Sequence, residues 1–247
     1  MKPPVMILHA TGTNRDHDVA RALELAGANP EIVHINRWRD GDVRLGDYQM
    51  LVLPGGFSYG DDLGAGKLWA VAMRARLGDD LTSFIAAGKP VIGICNGFQA
   101  LVKSGLLPGM RRGQEVTLTR NELGKFECRW VVLAPEGNSL WTRGLENIYC
   151  PVAHGEGRFV APDATLAEIE ESNLVAIRYV GNGYPANPNG SLNDIAGITN
   201  PAGNVLGLMP HPENHIVAEQ HPQRHHGPQS GLGLPLFENG VRHAAGI

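Results

Sequence analysis

The chain has 247 residues, of which 43% are hydrophobic, so it is long enough to bury a full hydrophobic core. Its 32 glycines and 17 prolines favour a loop-rich α/β domain and argue against a helical bundle. The formal net charge of −4 argues against a general attraction to nucleic acid or to acidic membranes, and fits small metabolites or protein surfaces as partners.

Strand and helix patterns alternate through the first half of the chain. Short apolar runs predict strands at residues 5–10, 31–35, 50–53 and 91–94. Apolar residues at helical spacing predict a helix at residues 14–26, and two more helices are expected at residues 67–76 and 81–87. A polar loop is expected between the second and third strands. This alternation predicts parallel crossovers.

The second half of the chain has a different pattern. Its β-leaning segments predict additional antiparallel strands at residues 115–121, 126–133, 148–152, 174–180 and 194–199. Residues 182–191 have a loop composition, residues 205–209 form another short apolar strand, and residues 234–244 are expected to form a terminal helix. We therefore expect a single domain over residues 1–247, with a His-rich tail from about residue 220 to the end.

Cys95 follows the fourth predicted strand and immediately precedes a predicted helix at residues 96–104. Such a turn, a nucleophile elbow, exposes the reactive residue at the carboxyl edge of a parallel sheet. Gly93 and Gly97 would let the strand and helix backbones approach closely, and the amides of the helix would favour a thiolate. A lone cysteine in an apolar run is more often a buried structural residue, but the two glycines favour the nucleophile.

A glycine-rich loop, residues 54–67, follows the third predicted strand at the same edge of the sheet. As a phosphate-binding Walker loop it fails, because Asp61 stands where glycine is needed and Leu68 where serine or threonine is needed. As an oxyanion-hole loop it is well placed, since its glycines let a backbone amide approach a reacting carbonyl. The amide of Gly56 would then act together with that of Asn96.

His211 and Glu213 lie just beyond the strand predicted at residues 205–209. Extended backbone sends side chains two residues apart toward the same side, which suits a base and the carboxylate that orients it. The alternative is a surface turn rich in proline and polar residues. The presence of Cys95 favours the catalytic interpretation.

Two further histidine-containing segments have less distinctive patterns. His154 lies in a compact loop at residues 151–158, which local sequence alone predicts to be a tight turn with solvated charge. The tail adds four histidines: His215, His221, His225 and His226. Pro222 and Gly227 disrupt regular ligand geometry there, so metal binding is disfavoured.

The cysteines also indicate the compartment. The three of them, Cys95, Cys128 and Cys150, lack C-x-x-C spacing, which argues against a disulfide framework and a zinc site and favours a reducing cytosol. The first nine residues lack the apolar length of a signal peptide, and no later run approaches a membrane span. We therefore expect a soluble, cytoplasmic protein without a metal site.

Taken together, the segments at residues 93–99 and 211–213 resemble the class I, triad-type glutamine amidotransferases. Residues 54–61, 96–99, 151–157 and 209–213 narrow the resemblance to the glutaminase subunits of phosphoribosylformylglycinamidine synthases. Asn96 fits this branch, because many class I relatives carry leucine or another apolar residue after the nucleophile. The resemblance covers nearly the whole chain up to residue 213. It implies an α/β fold with a mostly parallel, doubly wound, flavodoxin-like sheet and additional antiparallel strands.

The resemblance also implies roles for individual residues. Cys95 would attack the side-chain amide of glutamine, His211 would move the proton, and Glu213 would orient His211. The backbone amides of Gly56 and Asn96 would stabilise the oxyanions. Further glutamine contacts are implied at five positions: Gly55, Phe57, Gln99, His154 and Gly155.

The implied partners follow from this chemistry. The chain would hydrolyse L-glutamine and pass ammonia to a large synthetase subunit, with a small bridging subunit as a further partner. No cofactor is expected in this chain, and ATP and Mg²⁺ are expected on the synthetase. Alternatives are a class I glutaminase of another pathway, a cysteine hydrolase of esterase or peptidase type, and a redox-sensing or scaffold protein on a similar fold.

Overall fold

The chain folds into alternating strands and helices followed by a run of mainly β-structure. The computed structural model describes residues 2–109, 113–226 and 231–246, so Gly227 of the tail lies outside the described residues. Its strands are β1 (Pro4–His9), β2 (Asn29–His34), β3 (Met50–Leu53), β4 (Val91–Ile94), β5 (Thr117–Thr119), β6 (Glu127–Pro135), β7 (Ile148–His154), β8 (Arg158–Val160), β9 (Val175–Tyr179), β10 (Ile195–Thr199) and β11 (Val205–Leu208). Its helices are α1 (Asp16–Leu25), α2 (Ile35–Arg39), α3 (Lys67–Ala86), α4 (Asn96–Lys103), α5 (Asp163–Glu171) and α6 (Leu234–Ala245).

A nine-stranded sheet in the order β2-β1-β3-β4-β11-β10-β9-β6-β7 forms the centre of the fold. The first five strands in this order are parallel to one another, and the remaining neighbours pair antiparallel. Strands β5 and β8 form a separate two-stranded antiparallel sheet. The predicted α/β architecture, with a doubly wound parallel part and added antiparallel strands, is confirmed.

The central parallel strands are covered on both faces. Every residue of β3, β4 and β11 is buried, which is why these segments read as unbroken apolar runs in the sequence. Helix α1 packs with α6, and α3 packs with α4. Right-handed crossovers run from β1 toward one side of the sheet and from β3 toward the other, which places the two helix pairs on opposite faces.

The helices between the early strands differ from the prediction. Residues 67–86 form one 20-residue helix instead of two, because its inner face stays apolar through Leu77, Leu81 and Phe84 while Gly78 is tolerated in the middle. Ile35, predicted to end a strand, begins α2, where the side chain of His34 accepts a hydrogen bond from the amide of Asn36. The segment expected to be a polar loop therefore contains a helix.

The prediction was also incomplete beyond β4. Helix α5 was not predicted, because its apolar residues are few among the acidic ones that face solvent. Strand β7 extends through His154, so residues 151–154 belong to a strand and not to a turn. The pairing of β7 with β6 along its whole length overrides the turn-like composition of this segment.

The carboxyl ends of β3, β4 and β11 meet at one edge of the sheet. Leu53 pairs with Gly93, and Gly93 pairs with Gly207, so the three strands end nearly level. The loop after β3, the turn after β4 and the residues after β11 are consequently neighbours. No helix in the described ranges is long and apolar enough to cross a membrane.

Candidate active site

Cys95 lies at a strained turn between β4 and α4. Its backbone has φ 51° and ψ −106°, a conformation that non-glycine residues rarely adopt and that is common at functional sites. Its amide donates a hydrogen bond to the carbonyl of Leu208, with 2.8 Å between N and O, which ties the turn to β11. The residue is 6% exposed. The structure therefore has the nucleophile-elbow geometry that the sequence predicts.

The glycines beside Cys95 are required by packing. A Cβ at Gly97 would lie 1.9 Å from the carbonyl oxygen of Leu53, and a Cβ at Gly93 would lie 2.7 Å from the carbonyl oxygen of Gly97. No side chain fits at either position without movement of the backbone. The two glycines let α4 start directly against β3 and β4.

His211 and Glu213 form a buried pair next to Cys95. The Nδ1 of His211 and Oε1 of Glu213 are 2.7 Å apart, and both side chains are almost fully buried. The backbone amide of His211 donates to the carbonyl of Pro151, which holds the residue against β7. Nε2 of His211 has no hydrogen-bond partner among the described residues. It is therefore free to exchange a proton with a reacting group.

The charge state of His211 follows from its surroundings. Burial lowers the pKa of the imidazole, but the Glu213 carboxylate and the Cys95 sulfur outweigh burial and raise the pKa to about 10. His211 is therefore protonated at neutral pH. Cys150 lies on the other side of this pair, where burial and the Glu213 charge raise the pKa of its thiol. Cys150 is thus an unreactive thiol.

The loop after β3 packs directly on Cys95 and His211. A Cβ at Gly55 would lie 2.8 Å from Cε1 of His211 and 3.5 Å from Cβ of Cys95. Gly56 has φ 144° and forms an isolated β-bridge with Thr13. The hydrogen bonds of this bridge are donated by the neighbouring amides of Phe57, to the carbonyl of Gly12, and of Asn14, to the carbonyl of Gly55. This bridge leaves the Gly56 amide unused. Phe57 is 49% exposed at the rim of the site.

The side chain of Asn96 holds this loop to α4. Its Oδ1 accepts from the amide of Ser58 at 3.1 Å, and its Nδ2 donates to Oδ1 of Asp61 at 2.9 Å and to Oε1 of Gln99 at 3.0 Å. Gln99 in turn donates to the carbonyl of Glu156. Sequence reasoning assigned Asn96 only a backbone role. Its side chain also connects the loop to the helix that carries the nucleophile.

Three half-buried charged residues, Asp61, Lys103 and Glu156, lie in the same loop or against it. Burial raises the pKa of Asp61 and lowers the pKa of Lys103, whose Nζ donates to the carbonyl of Ala65. The carboxylate of Glu156 accepts from the amide of Ala65 at 3.3 Å. These contacts hold the loop in position. They do not form the phosphate-binding site that the glycines of the loop could otherwise suggest.

A cavity of about 210 Å³ opens beside Cys95. Its wall includes predicted site residues from three segments: Gly56, Phe57, Cys95, Gln99, His154 and Gly155. The carbonyl of Ala153 lies 3.9 Å from the Cys95 sulfur. His154 is 3% exposed, and burial together with the charge of His211 lowers its pKa to about 3, so it is a neutral histidine. The solvated turn that local sequence predicts is wrong for His154, the buried last residue of β7, whereas residues 155–156 form a bend before β8.

Two tail histidines, His215 and His221, pack against aromatic residues of β6 and β7. The rings of His215 and His221 cluster with those of Trp130 and Tyr149 at centroid distances between 5.0 and 6.4 Å. The amide of Tyr149 donates to the carbonyl of Gly231, and its carbonyl lies 2.5 Å from Nδ1 of His215. Within the described ranges, no group of three or more His, Cys, Asp or Glu side chains could hold a metal ion. His215 and His221 are therefore packing residues.

Comparison with known proteins identifies the family. The sequence profile of the CobB/CobQ-like glutamine amidotransferase domain matches residues 2–244. The chain belongs to this glutamine amidotransferase family. The match covers both the parallel strands that position Cys95 and His211 and the antiparallel strands that form the far wall of the cavity.

Relatives of this amidotransferase are similar along its full length. Phosphoribosylformylglycinamidine synthase subunit PurQ of Treponema denticola is 50% identical, with 98% of this chain and 99% of the relative aligned. PurQ of Dehalococcoides mccartyi is 44% identical, with 98% of each chain aligned. The solved structure of PurLQS from Thermotoga maritima contains a chain that is 36% identical, with a TM-score of 0.76 over 98% of this chain and 99% of that one.

The structure of the amidotransferase brings together every residue that the sequence predicts for the site. The sequence analysis did not assign Asn121 to the site, nor five residues of the cavity wall: Asp61, Ala65, Phe126, Ala153 and Glu156. Ala153 and Glu156 lie within residues 151–157, one of the segments that resemble the amidotransferase family, so the sequence did contain a signal for these two residues. Asn121 carried no signal, because its contact with His154 depends on a loop arrangement that no sequence pattern specifies.

Proposed function

We propose that this chain is the glutaminase subunit of phosphoribosylformylglycinamidine synthase, in which Cys95, His211 and Glu213 hydrolyse L-glutamine to glutamate and ammonia. The observation that carries this proposal is the buried His211–Glu213 pair beside a cysteine at a strained strand-to-helix turn. The PurQ relatives, which align over nearly their whole length, support the choice of this pathway.

The acylation half of the reaction begins with His211 protonated. The Cys95 sulfur attacks the carboxamide carbon of glutamine, and the resulting oxyanion receives hydrogen bonds from the backbone amides of Gly56 and Asn96. His211 then gives its proton from Nε2 to the departing nitrogen. The C–N bond breaks, ammonia leaves, and a thioester joins the glutamyl group to Cys95.

Deacylation reverses the role of His211. The neutral imidazole takes a proton from water, which attacks the thioester carbon through a second oxyanion. The C–S bond breaks and releases the Cys95 sulfur. The proton taken from water stays on His211, so both residues return to their starting states. Glu213 keeps Nδ1 protonated and stabilises the imidazolium in both halves. We propose that Gly55, Phe57, Gln99, His154 and Gly155 contact glutamine in the cavity.

The ammonia would be used by a partner. We propose that a large synthetase subunit, with ATP and Mg²⁺ bound to it, converts phosphoribosylformylglycinamide to its amidine, and that a small subunit bridges the two. The naming of PurLQS from Thermotoga maritima supports such an assembly. We further propose that residues 1–247 act as one amidotransferase domain without a cofactor of their own, and that the protein is cytoplasmic.

The direct test measures glutamate release from glutamine by the full chain, with and without a purified synthetase subunit, ATP and phosphoribosylformylglycinamide. We expect slow release alone and faster release in the complex, with amidine formed in equal amount. A glutamine-mimicking electrophile should label Cys95, leaving Cys128, which is exposed, and Cys150 unmodified. Hydrolysis of esters or peptides without glutaminase activity would instead favour a cysteine hydrolase. Labelling at Cys128 or Cys150, or full activity of Cys95→Ala, would overturn the assignment of the nucleophile.

A further inference from the structure

Strand β7 is the last strand of the nine-stranded sheet, so one of its edges has no neighbouring strand. Carbonyls of residues two apart in a strand point toward the same edge. Three such carbonyls of β7, those of Tyr149, Pro151 and Ala153, contact residues that lie outside the sheet. Because β7 pairs with β6 residue by residue from Ile148 to His154, these carbonyls form an evenly spaced row on a rigid support.

Two of the three carbonyls contact the proposed catalytic residues. The carbonyl oxygen of Ala153 lies 3.9 Å from the Cys95 sulfur. The carbonyl of Pro151 accepts a hydrogen bond from the amide of His211, with 2.8 Å between N and O. The same row of carbonyls therefore contacts both the nucleophile and the histidine. Any change in how His211 meets this row also changes its distance from Cys95.

The third carbonyl contacts the far end of the catalytic turn, which comprises residues 211–215. Nδ1 of His215 lies 2.5 Å from the carbonyl oxygen of Tyr149. A carbonyl oxygen only accepts hydrogen bonds, so Nδ1 of His215 carries the hydrogen and donates it. The catalytic turn is thus attached to β7 twice, by the amide of His211 and by the ring of His215.

The catalytic turn is closed by its own hydrogen bonds. The amide of Asn214 donates to the carbonyl of His211, and the amide of His215 donates to the carbonyl of Pro212, both at 3.1 Å. The tail packs against the turn: the amide of Gly233 donates to the carbonyl of His215 at 2.7 Å, and a Cβ at Gly233 would lie 2.3 Å from the carbonyl oxygen of Pro212. A turn closed in this way moves as one unit, so a shift at His215 is passed on to His211.

We propose that His215 is a positioning residue of the glutaminase site. Its hydrogen bond to the carbonyl of Tyr149 holds the catalytic turn in one orientation and so sets the distance from His211 to Cys95. The inference rests on the proposed glutaminase function. A single attachment, through the amide of His211, would leave the turn free to rotate, and the second attachment removes this freedom. A misplacement of about 1 Å between reacting groups can cost roughly 10²-fold in rate.

The ring of His215 also packs against Trp130 and His221, so the test has to separate the donor from the ring. His215→Phe keeps an aromatic ring and removes the donor. His215→Asn removes the ring and places an amide N–H near the position of Nδ1. Glutamate release is measured in the complex with the synthetase subunit. It is divided by the number of chains that a glutamine-mimicking electrophile labels at Cys95, so that unfolded chains are not counted.

The expected result is a loss of turnover that follows the donor. In His215→Phe, kcat per labelled site should fall roughly 10–100-fold, whereas in His215→Asn it should stay within about threefold of wild type. KM should change little in either variant, because His215 lies outside the described wall of the cavity. If His215→Phe does not fold, His215→Leu takes its place, since leucine matches asparagine in size and lacks the donor.

A matched control changes the other histidine of the aromatic cluster. Nδ1 of His221 accepts from the amide of Gln223 at 3.0 Å, so His221→Phe should leave kcat per labelled site within about threefold of wild type. A loss in His221→Phe equal to that in His215→Phe would overturn the proposal. So would normal turnover in His215→Phe, or a loss in His215→Asn as large as in His215→Phe. A wild type that neither releases glutamate nor is labelled at Cys95 would instead contradict the proposed glutaminase function itself.

Discussion

Replacing Glu213 by glutamine should convert His211 from an acid into a neutral base. At the observed 2.7 Å, a full charge pair is worth about 6 kcal/mol at an effective dielectric constant near 20. The rise in the pKa of His211 from 6.5 to about 10 corresponds to roughly 5 kcal/mol in favour of the imidazolium, net of the opposing burial. Without the carboxylate, the contribution of Glu213 is lost, burial is opposed only by Cys95, and the pKa of His211 falls.

The consequence for catalysis is the loss of a proton donor at neutral pH. In Glu213→Gln we expect kcat for glutamine hydrolysis to fall roughly 10²–10⁴-fold, and the remaining activity to depend differently on pH between 6 and 10. The assay is glutamate release by the complex across this range. Folding of the variant is checked by labelling of Cys95 with the glutamine-mimicking electrophile. This labelling should be slower than in wild type but still complete.

A matched control lies elsewhere in the same chain. His9 and Asp16 form a second histidine–carboxylate pair, also 2.7 Å apart, outside the cavity wall. Asp16→Asn should leave glutamine hydrolysis close to wild type. Equal losses in the two variants would indicate a general effect of removing a buried carboxylate, and near wild-type turnover in Glu213→Gln would refute the electrostatic role assigned to Glu213.

Three further expectations follow from the packing and charge of the site. Gly97→Ala should lower the free energy of unfolding by about 1–3 kcal/mol or prevent folding, because the added Cβ would meet the carbonyl of Leu53. Gly78→Ala in α3, which has open space around it, should raise the free energy of unfolding by about 0.4–1 kcal/mol. Urea unfolding of both variants tests these values, and wild-type stability of Gly97→Ala would contradict the packing argument. Asn96→Ala removes the side chain that holds the loop at residues 54–67 to α4, so kcat should fall roughly 10–10³-fold with a smaller change in KM. An unchanged kcat in steady-state kinetics would show that the loop keeps its position without this side chain. Because the pKa of His211 is raised on folding, the stability that its charge contributes is complete below pH 6.5 and is lost as pH rises through about 10, so urea midpoints should decline over that range in wild type and stay flatter in Glu213→Gln.

The arrangement of Cys95, His211 and Glu213 could be predicted because local sequence determines much of their geometry. Gly93 and Gly97 around Cys95 specify a close strand–helix turn, and the apolar run before His211 specifies a strand that ends at the same edge. Parallel strands bring their carboxyl ends together, so two sites 116 residues apart in the chain could be placed side by side. The placement of these residues therefore did not require the prediction of any individual tertiary contact.

The far wall of the cavity could not be predicted in the same way. Residues 151–154 have the composition of a turn but become a strand, because β6 supplies hydrogen bonds along their length. The roles of Asn121 and of the Asn96 side chain depend on which loops lie within 3 Å of them, and this is set by long-range packing. Patterns of periodicity and spacing carry no information about such contacts.

The tail that covers β7 has a consequence for assembly. Strand β7 is at the edge of the nine-stranded sheet, where unpaired backbone groups can recruit a strand from another molecule. At Tyr149, both main-chain groups already have partners, one from His215 and the other from Gly231. The C-terminal segment thus occupies the backbone groups at this position of the edge strand, where they cannot pair with a strand from another molecule.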